Sequence, residues 1–113
     1  MTDNLYSFIG LAMKAGKLVS GETNCEKIIR SGKALLVIVS KDASANTEGK
    51  FKNACIYRKV PFYRFGEKEA LGRLLGKDVR SVIAITDIGF ARKLAEQLEM
   101  TEQQEKNGGG LIE

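Results

Sequence analysis

The chain has 113 residues, which is enough for one compact domain and too few for two independent hydrophobic cores. Its 18 basic and 14 acidic residues leave a positive surplus that suits a polyanionic partner, although many basic proteins merely have a well-solvated surface. Because the chain has two cysteines and no histidine, we expect no metal, with Cys25 and Cys55 as buried thiols. No Gly-x-Gly-x-x-Gly motif follows a predicted strand, so we expect no dinucleotide or other cofactor. The absence of a signal pattern or a membrane-length apolar run predicts a soluble, cytoplasmic protein.

The first half of the chain predicts two helices and two strands. Apolar residues at three- and four-residue spacing indicate a helix that ends at Gly16, and Leu18–Ser20 follows as a short strand. Gly21 leads into a second helix, which Gly32 ends. The unbroken, β-branched run Ala34–Val39 is typical of a central strand that is covered on both faces.

The second half continues this alternation. A polar turn over Lys41–Asn46 precedes a third helix, which ends before Pro61. A strand over Phe62–Phe65 and a helix over Glu67–Leu75 follow. Another buried strand covers Val82–Ile85, and Asp87 caps the last helix. The pattern predicts an α/β fold, namely a three-layer α/β/α sandwich around a small mixed central sheet of about four strands. We expect one domain over residues 1–100 and a flexible tail over residues 101–113.

The sequence contains no convincing catalytic or nucleotide-binding motif. The segment Gly10–Lys17 resembles a phosphate loop, but five residues separate its glycines instead of four, and Leu18 replaces the metal-binding Ser or Thr. Asp42 and Asp87 follow predicted strands, where the active sites of α/β enzymes often lie, so a small hydrolase is one alternative. The simpler interpretation is that both are turn or cap residues, and we expect no enzyme activity.

Polar and basic side chains gather at three predicted junctions: the start of the second helix, the turn after the central strand and the loop before the last strand. Lysine and arginine neutralise phosphates, whereas threonine and asparagine reach base edges. The alternative is that Gly21 only makes a turn, Thr23 or Asn24 caps the helix, and Lys27 is a solvated charge. The candidate binding residues are Lys17, Thr23, Asn24, Lys27, Lys41, Lys77 and Arg80.

Five short motifs follow one another in a specific order. They are Gly10-Leu-Ala-x-x-Ala-Gly-Lys-Leu-Val-Ser-Gly21, Lys27-Ile-Ile-Arg-Ser-Gly32-Lys-Ala, Leu36-Val-Ile-Val-Ser-Lys-Asp42-Ala-Ser-Ala-Asn46-Thr47, Val60-Pro61 and Ala70-Leu71-Gly72-x-x-Leu-Gly76-Lys. Over roughly residues 5–98 the chain resembles the kink-turn RNA-binding ribosomal protein family, most closely its bacterial YlxQ-type members. The fold of that family is an α/β/α sandwich, which agrees with the pattern of elements.

The resemblance implies a role for each candidate residue. In the family, the helix that begins at the glycine contacts the tandem sheared G·A pairs of a bent RNA, and a later loop covers an unstacked nucleotide. For this chain it implies that the Gly21 backbone approaches RNA, that Thr23 and Asn24 face base edges, and that Lys27 meets phosphate or guanine. It also implies an apolar cover from Val79, flanked by Lys77 and Arg80.

The chain departs from the family at one pair of positions. Family members carry Asn and then Glu where this chain has Thr23 and then Asn24. The Asn24 amide both donates and accepts, but it lacks the carboxylate that would accept from a guanine amino group. Since bidentate base recognition contributes about 1–3 kcal/mol, the departure implies weaker binding or a different preferred RNA.

The leading hypothesis is a non-catalytic, monomeric protein that recognises kinked RNA, either ribosomal RNA or RNA of another RNA–protein particle. Ribosomal or ribosome-assembly proteins are further expected partners, and no membrane is involved. The alternative is a protein-interaction adaptor of the translation apparatus that has kept the fold and lost tight RNA binding. We expect Lys27 to be critical for RNA binding, and Lys68 to lie on the opposite flank and to matter little.

Overall fold

The computed structural model describes residues 2–112, with side chains described for residues 4–103. Within these limits the chain forms five helices and four strands: α1 (Thr2–Lys14), β1 (Leu18–Ser20), α2 (Glu22–Arg30), β2 (Leu36–Val39), α3 (Ala45–Arg58), β3 (Phe62–Arg64), α4 (Lys68–Leu74), β4 (Val82–Ile85) and α5 (Ile88–Ile112). A flexible tail was predicted over residues 101–113. Side chains are described only as far as residue 103, so this tail stays a prediction. None of the described helices combines the length and the hydropathy that crossing a bilayer requires.

The four strands form one mixed sheet in the order β1-β4-β2-β3. Strand β4 lies antiparallel to both of its neighbours, with Ser20 of β1 opposite Ile83 and Val39 of β2 opposite Val82. Strand β3 lies parallel to β2. The end of β1, the start of β4 and the ends of β2 and β3 therefore meet at one end of the sheet, and the predicted small mixed sheet is confirmed.

Helices cover both faces of the sheet. Because successive side chains of a strand point to opposite faces, β2 and β4 each contribute to two separate apolar clusters. One cluster joins the sheet to α1, α4 and α5, and the other joins it to α2 and α3. The three-layer α/β/α sandwich is therefore confirmed. The strand residues of the first cluster are Leu36, Ile38, Ile83 and Ile85, and those of the second are Val37, Val39, Val82 and Ala84.

Several predicted boundaries are wrong by one or two residues. The strand predicted over Phe62–Phe65 ends at Arg64, and the helix predicted over Glu67–Leu75 spans Lys68–Leu74. The predicted polar turn runs to Asn46, but α3 begins at Ala45 because the Ser44 hydroxyl accepts a hydrogen bond from the Thr47 N–H at 3.1 Å. The strand predicted over Ala34–Val39 begins two residues late, at Leu36, the residue that lies opposite Ile85 at the end of β4.

Candidate nucleic-acid interface

Three segments of the chain meet where β4 begins. The Gly21 N–H donates to the Val82 carbonyl at 3.0 Å, and the Ser40 N–H donates to the Ser81 carbonyl at 2.8 Å. The start of β4 is therefore held between the residue that follows β1 and the residue that follows β2. As a result, the start of α2 and the loop 76–81 lie side by side. We call the exposed side of residues 21–27 together with the loop 76–81 the Gly21 surface.

Arg80 is fixed beside the start of α2. Its Nε donates to the Ser20 hydroxyl at 3.0 Å, and another guanidinium nitrogen donates to the Val79 carbonyl at 2.8 Å. Gly21 has φ +93° and ψ 152°, a conformation that favours glycine, and a Cβ added there would lie 3.8 Å from the Arg80 Nε. The full charge of the guanidinium thus adds to the partial positive charge of the helix N-terminus, which favours an anion at this point.

The first turn of α2 presents hydrogen-bonding groups to solvent. Gly21 is the N-cap residue, and no side chain caps the helix in the described part of the chain. The alternative that Thr23 or Asn24 caps the helix is therefore wrong. Both side chains are exposed together with Lys27, which lies one helical turn further on. The Asn24 Nδ2 donates to the Ser20 carbonyl at 3.2 Å, so the amide oxygen stays available as an acceptor.

Close packing against α4 positions Val79. A Cβ added at Gly72 would lie 2.6 Å from both the Val79 Cα and the Asp78 carbonyl oxygen, so this contact requires glycine. The Lys77 N–H donates to the Gly72 carbonyl at 2.7 Å, and the Val79 side chain stays 44% exposed. No structural role was predicted for Gly72. The available signal was a glycine inside a helix, which weakens the helix and often marks a close approach of another segment.

Lys41 borders this surface, whereas Lys77 is part of it. Lys41 lies at the same end of the sheet but follows β2, two strands away from Gly21, or about 10 Å. Its N–H donates to the Gly66 carbonyl at 2.8 Å, and its carbonyl accepts from the Arg64 guanidinium. Lys77 is exposed on the loop 76–81 itself.

The structure does not bring Lys17 together with the other candidates. Its carbonyl accepts from the Thr86 N–H at 3.0 Å, which places it at the opposite end of β1. Four residue steps along β1 separate it from Gly21, a distance of about 13 Å.

The expectation that Lys68 lies on the opposite flank is wrong. Its carbonyl accepts from the Arg80 N–H at 2.9 Å, and its own N–H donates to Asp42 Oδ1 at 3.0 Å. The helix α4 and the loop that follows it fold back on one another, which brings residues 68 and 80 together. Lys68 therefore lies beside the Gly21 surface.

The carboxylate in the first turn of α2 is bound to α3. Glu22 forms an ion pair with the Lys50 ammonium at 2.9 Å and accepts from the Thr47 hydroxyl at 3.0 Å. The Lys50 ammonium holds the pKa of Glu22 below its usual range, so this carboxylate is ionised at neutral pH. Lys50 also lies 3.5 Å from Glu26. The pairing offsets negative charge that would otherwise repel an anion at the start of α2.

The groups that a hydrolase would need have structural roles. Asp42 accepts from the Lys68 N–H, and Asp87 accepts from the Phe90 N–H at 3.0 Å, which confirms both as cap or turn residues. Burial raises the pKa of Cys25 to about 12 and that of Cys55 to about 11, and both are buried free thiols as predicted. Within residues 4–103, no group of three or more His, Cys, Asp or Glu side chains could hold a metal ion.

Replacing Asp42 with asparagine is expected to reduce the loss of stability in acid. The Lys68 N–H lowers the pKa of Asp42 in the folded protein, so the native state binds this proton less tightly than the unfolded chain does. Its contribution is therefore complete above the ordinary Asp pKa and is lost as the pH falls through the lower, folded value. Asparagine still accepts the hydrogen bond but does not titrate. Between about pH 6 and about pH 3, the free energy of urea unfolding should fall less steeply for Asp42→Asn. Parallel curves would contradict the assignment.

The sandwich and the Gly21 surface define a small α/β/α protein that presents a cationic surface around the start of a glycine-capped helix. The chain belongs to the Ribosomal protein L7Ae/L30e/S12e/Gadd45 family, which it matches over residues 3–95. This confirms the resemblance found in the sequence.

Relatives align with most of the chain. It is 45% identical over 94 residues to the RNA-binding protein YlxQ of Bacillus subtilis (strain 168), covering 83% of this chain and 94% of that protein. The RNA-binding protein YlxQ of Enterococcus faecium is 42% identical over 93 residues, with coverage of 82% and 89%. The large ribosomal subunit protein eL30 of Trypanosoma brucei brucei is 32% identical over 89 residues, with coverage of 77% and 85%.

Solved structures share the same fold. A protein of unknown function from Bacillus halodurans C superposes with a TM-score of 0.80 at 38% identity, covering 84% of this chain and 96% of that one. The Giardia lamblia 15.5kD RNA binding protein superposes with a TM-score of 0.71 at 24% identity, covering 85% of each chain. At that identity the second likeness shows the fold alone.

Proposed function

We propose that the chain is a non-catalytic protein that binds kinked RNA, in the ribosome or in another RNA–protein particle. The contact between the start of α2 and the loop 76–81 carries this proposal, because the bond from Arg80 to Ser20 lies directly beside Gly21. Two kinds of recognition element are thereby presented together. The start of α2 offers N–H donors, and the loop offers the exposed side chain of Val79.

A kinked RNA brings phosphates from two helical arms close together, so their mutual repulsion opposes the bend. A rigid protein whose cations fit only the bent shape shifts the RNA population toward that shape. Lys27 and Arg80 supply positive charge on the two sides of the α2 entrance, and Lys77 adds charge on the loop. Thr23 and Asn24 offer a hydroxyl and an amide to base edges.

The names of the relatives support RNA as the partner. Two of them are named RNA-binding proteins, and a third is named a protein of the large ribosomal subunit. We therefore propose structured RNA, with ribosomal RNA first, as the ligand of a single copy of this chain. Ribosomal and ribosome-assembly proteins are the further partners in this proposal.

A titration with a kink-turn RNA and an unkinked duplex of equal length tests the proposal. Wild-type protein should prefer the kinked RNA by more than about tenfold, which is the order expected when one bidentate base contact discriminates. Its affinity should fall with salt, with a slope of about −0.9 for each phosphate neutralised. Equal affinity for both RNAs would reduce the interaction to charge attraction. Absence of salt-dependent RNA binding would favour the protein-interaction adaptor.

A further inference from the structure

The C-terminal end of α3 presents an aromatic ring to solvent. The Tyr57 side chain is 80% exposed, and its neighbour Ile56 is 66% exposed. The Arg58 guanidinium lies 5.6 Å from the centre of the Tyr57 ring, within the range of a cation–π interaction. A large ring that the described residues leave uncovered, with a cation beside it, is suited to stacking against a flat ligand.

Tyr57 borders an open groove of about 190 Å³ between α2 and α3. Glu26 lines the groove, but its carboxylate is paired with Lys50 at 3.5 Å. Arg30 and Arg58 line it from the two helices, and both are exposed. The groove therefore combines apolar walls with positive charge, which favours an anionic ligand that carries a flat apolar group. The apolar lining comes from Ile29, Phe51 and Ala54.

The groove is continuous with the Gly21 surface along α2. Thr23, Lys27 and Arg30 are exposed and follow one another at spacings of four and three residues, so they lie on one face of the helix. With a rise of 1.5 Å per residue, Arg30 lies about 10 Å from Thr23 along the helix axis. An RNA strand that leaves the Gly21 surface along this face passes Lys27 and then reaches the groove.

Lys59 provides a second, independent observation. It follows α3 with φ 60° and ψ 43°, the left-handed conformation in which helices usually place glycine. A Cβ is disfavoured in this conformation, so lysine makes the helix end less stable than glycine would. Lysine at this position adds a positive charge beside Tyr57 and Arg58.

We propose that Tyr57, together with Arg30 and Arg58, forms a stacking site for an unpaired nucleotide of the RNA that the Gly21 surface binds. The site rests on the function proposed above and extends it. The base stacks on the Tyr57 ring, and the neighbouring phosphates meet the two arginines and Lys59. Aromatic rings beside cations are the usual means by which proteins hold single-stranded nucleotides. The chain should therefore prefer a kinked RNA with further unpaired nucleotides beside the kink over the same kinked RNA without them.

A tryptophan reporter tests the stacking directly. The chain contains no tryptophan, so Tyr57→Trp introduces a single indole fluorophore. A kinked RNA with a short unpaired run of adenosines beside the kink should quench its fluorescence, and the same kinked RNA without that run should quench it less. Tyr57→Ala should bind the unpaired form about tenfold more weakly, whereas Tyr57→Phe should keep the wild-type affinity. Met100→Ala, which truncates an exposed apolar residue on α5 in the opposite helical layer, should change nothing.

Lys59→Gly separates binding from folding. This variant should raise the thermal midpoint of unfolding and yet weaken binding to the RNA with unpaired nucleotides. If Tyr57→Ala and Lys59→Gly bind like wild type while Lys27→Ala does not, the stacking site is wrong and the Gly21 surface stands. If the wild-type protein shows no preference for kinked RNA, both proposals fail. Unchanged indole fluorescence at saturating RNA would overturn the site and leave the exposed residues 56 and 57 to a protein partner.

Discussion

Replacing Lys27 with alanine is expected to weaken binding to kinked RNA by about 1–3 kcal/mol, or roughly 5- to 150-fold. Lys27 is exposed between the entrance of α2 and Arg30, where an RNA on the Gly21 surface must pass. Its ammonium meets either a phosphate or a guanine edge. Loss of a phosphate contact lowers the slope of log affinity against log salt by about one unit, so salt titrations distinguish the two roles.

Lys93→Ala is the matched control for this experiment. Lys93 is exposed on α5, and α5 packs on the face of the sheet opposite to α2. Both variants lose one positive charge, so long-range attraction by the total charge of the protein changes equally. Lys93→Ala should bind kinked RNA like the wild type. Equal losses in the two variants would show that the RNA responds to net charge and not to the Gly21 surface.

The regular elements could be predicted because each depends on residues that are near one another in the sequence. The unbroken run Val82–Ile85 and the spacing of apolar residues in α1 are local properties, and the structure confirms both elements. The start of β2 was less accessible, because it depends on where the antiparallel partner β4 stops.

The arrangement of the site depends on tertiary pairing, which local patterns do not contain. The bond between Arg80 and Ser20 joins residues 60 positions apart, and it exists because β4 inserts between β1 and β2. The family resemblance supplied the pairing of the α2 entrance with the region of Val79. It did not indicate that Lys17 lies at the other end of β1, which depends on a backbone hydrogen bond across the sheet. Nor did it indicate that Lys68 lies beside Arg80, which depends on a backbone hydrogen bond between α4 and the loop that follows it.

The Gly21 surface is held in place on both sides before any RNA binds. The Gly21 N–H donates to the start of β4, and the Arg80 N–H donates to the carbonyl of Lys68, the first residue of α4. A preformed surface avoids the loss of conformational freedom that ordering a loop on binding would entail. Binding should therefore be sensitive to small displacements of the loop 76–81, even when no side chain of that loop is changed.

Replacing Gly72 with alanine should displace that loop. The added methyl group would lie 2.6 Å from the backbone of Asp78 and Val79, and backbone atoms cannot move aside as the end of a flexible side chain can. We expect the free energy of unfolding to fall by about 1–3 kcal/mol, the usual penalty for inserting a methyl group into a close-packed contact. Because Val79 and Arg80 would move with the loop, affinity for kinked RNA should fall as well, when it is measured under conditions in which the variant remains folded.

Gly49→Ala is the matched control, since it adds the same methyl group inside α3. A Cβ at Gly49 meets no atom within 4 Å, and alanine favours a helix interior, so this variant should gain about 0.5–1 kcal/mol of stability and bind RNA normally. Urea unfolding and RNA titration of both variants measure the two effects separately. If Gly72→Ala loses stability but keeps full affinity for kinked RNA, then the loop 76–81 is not part of the RNA-binding surface. The roles proposed for Val79 and Arg80 would then be wrong, whereas the result for Lys27 would still stand because it depends on α2 alone.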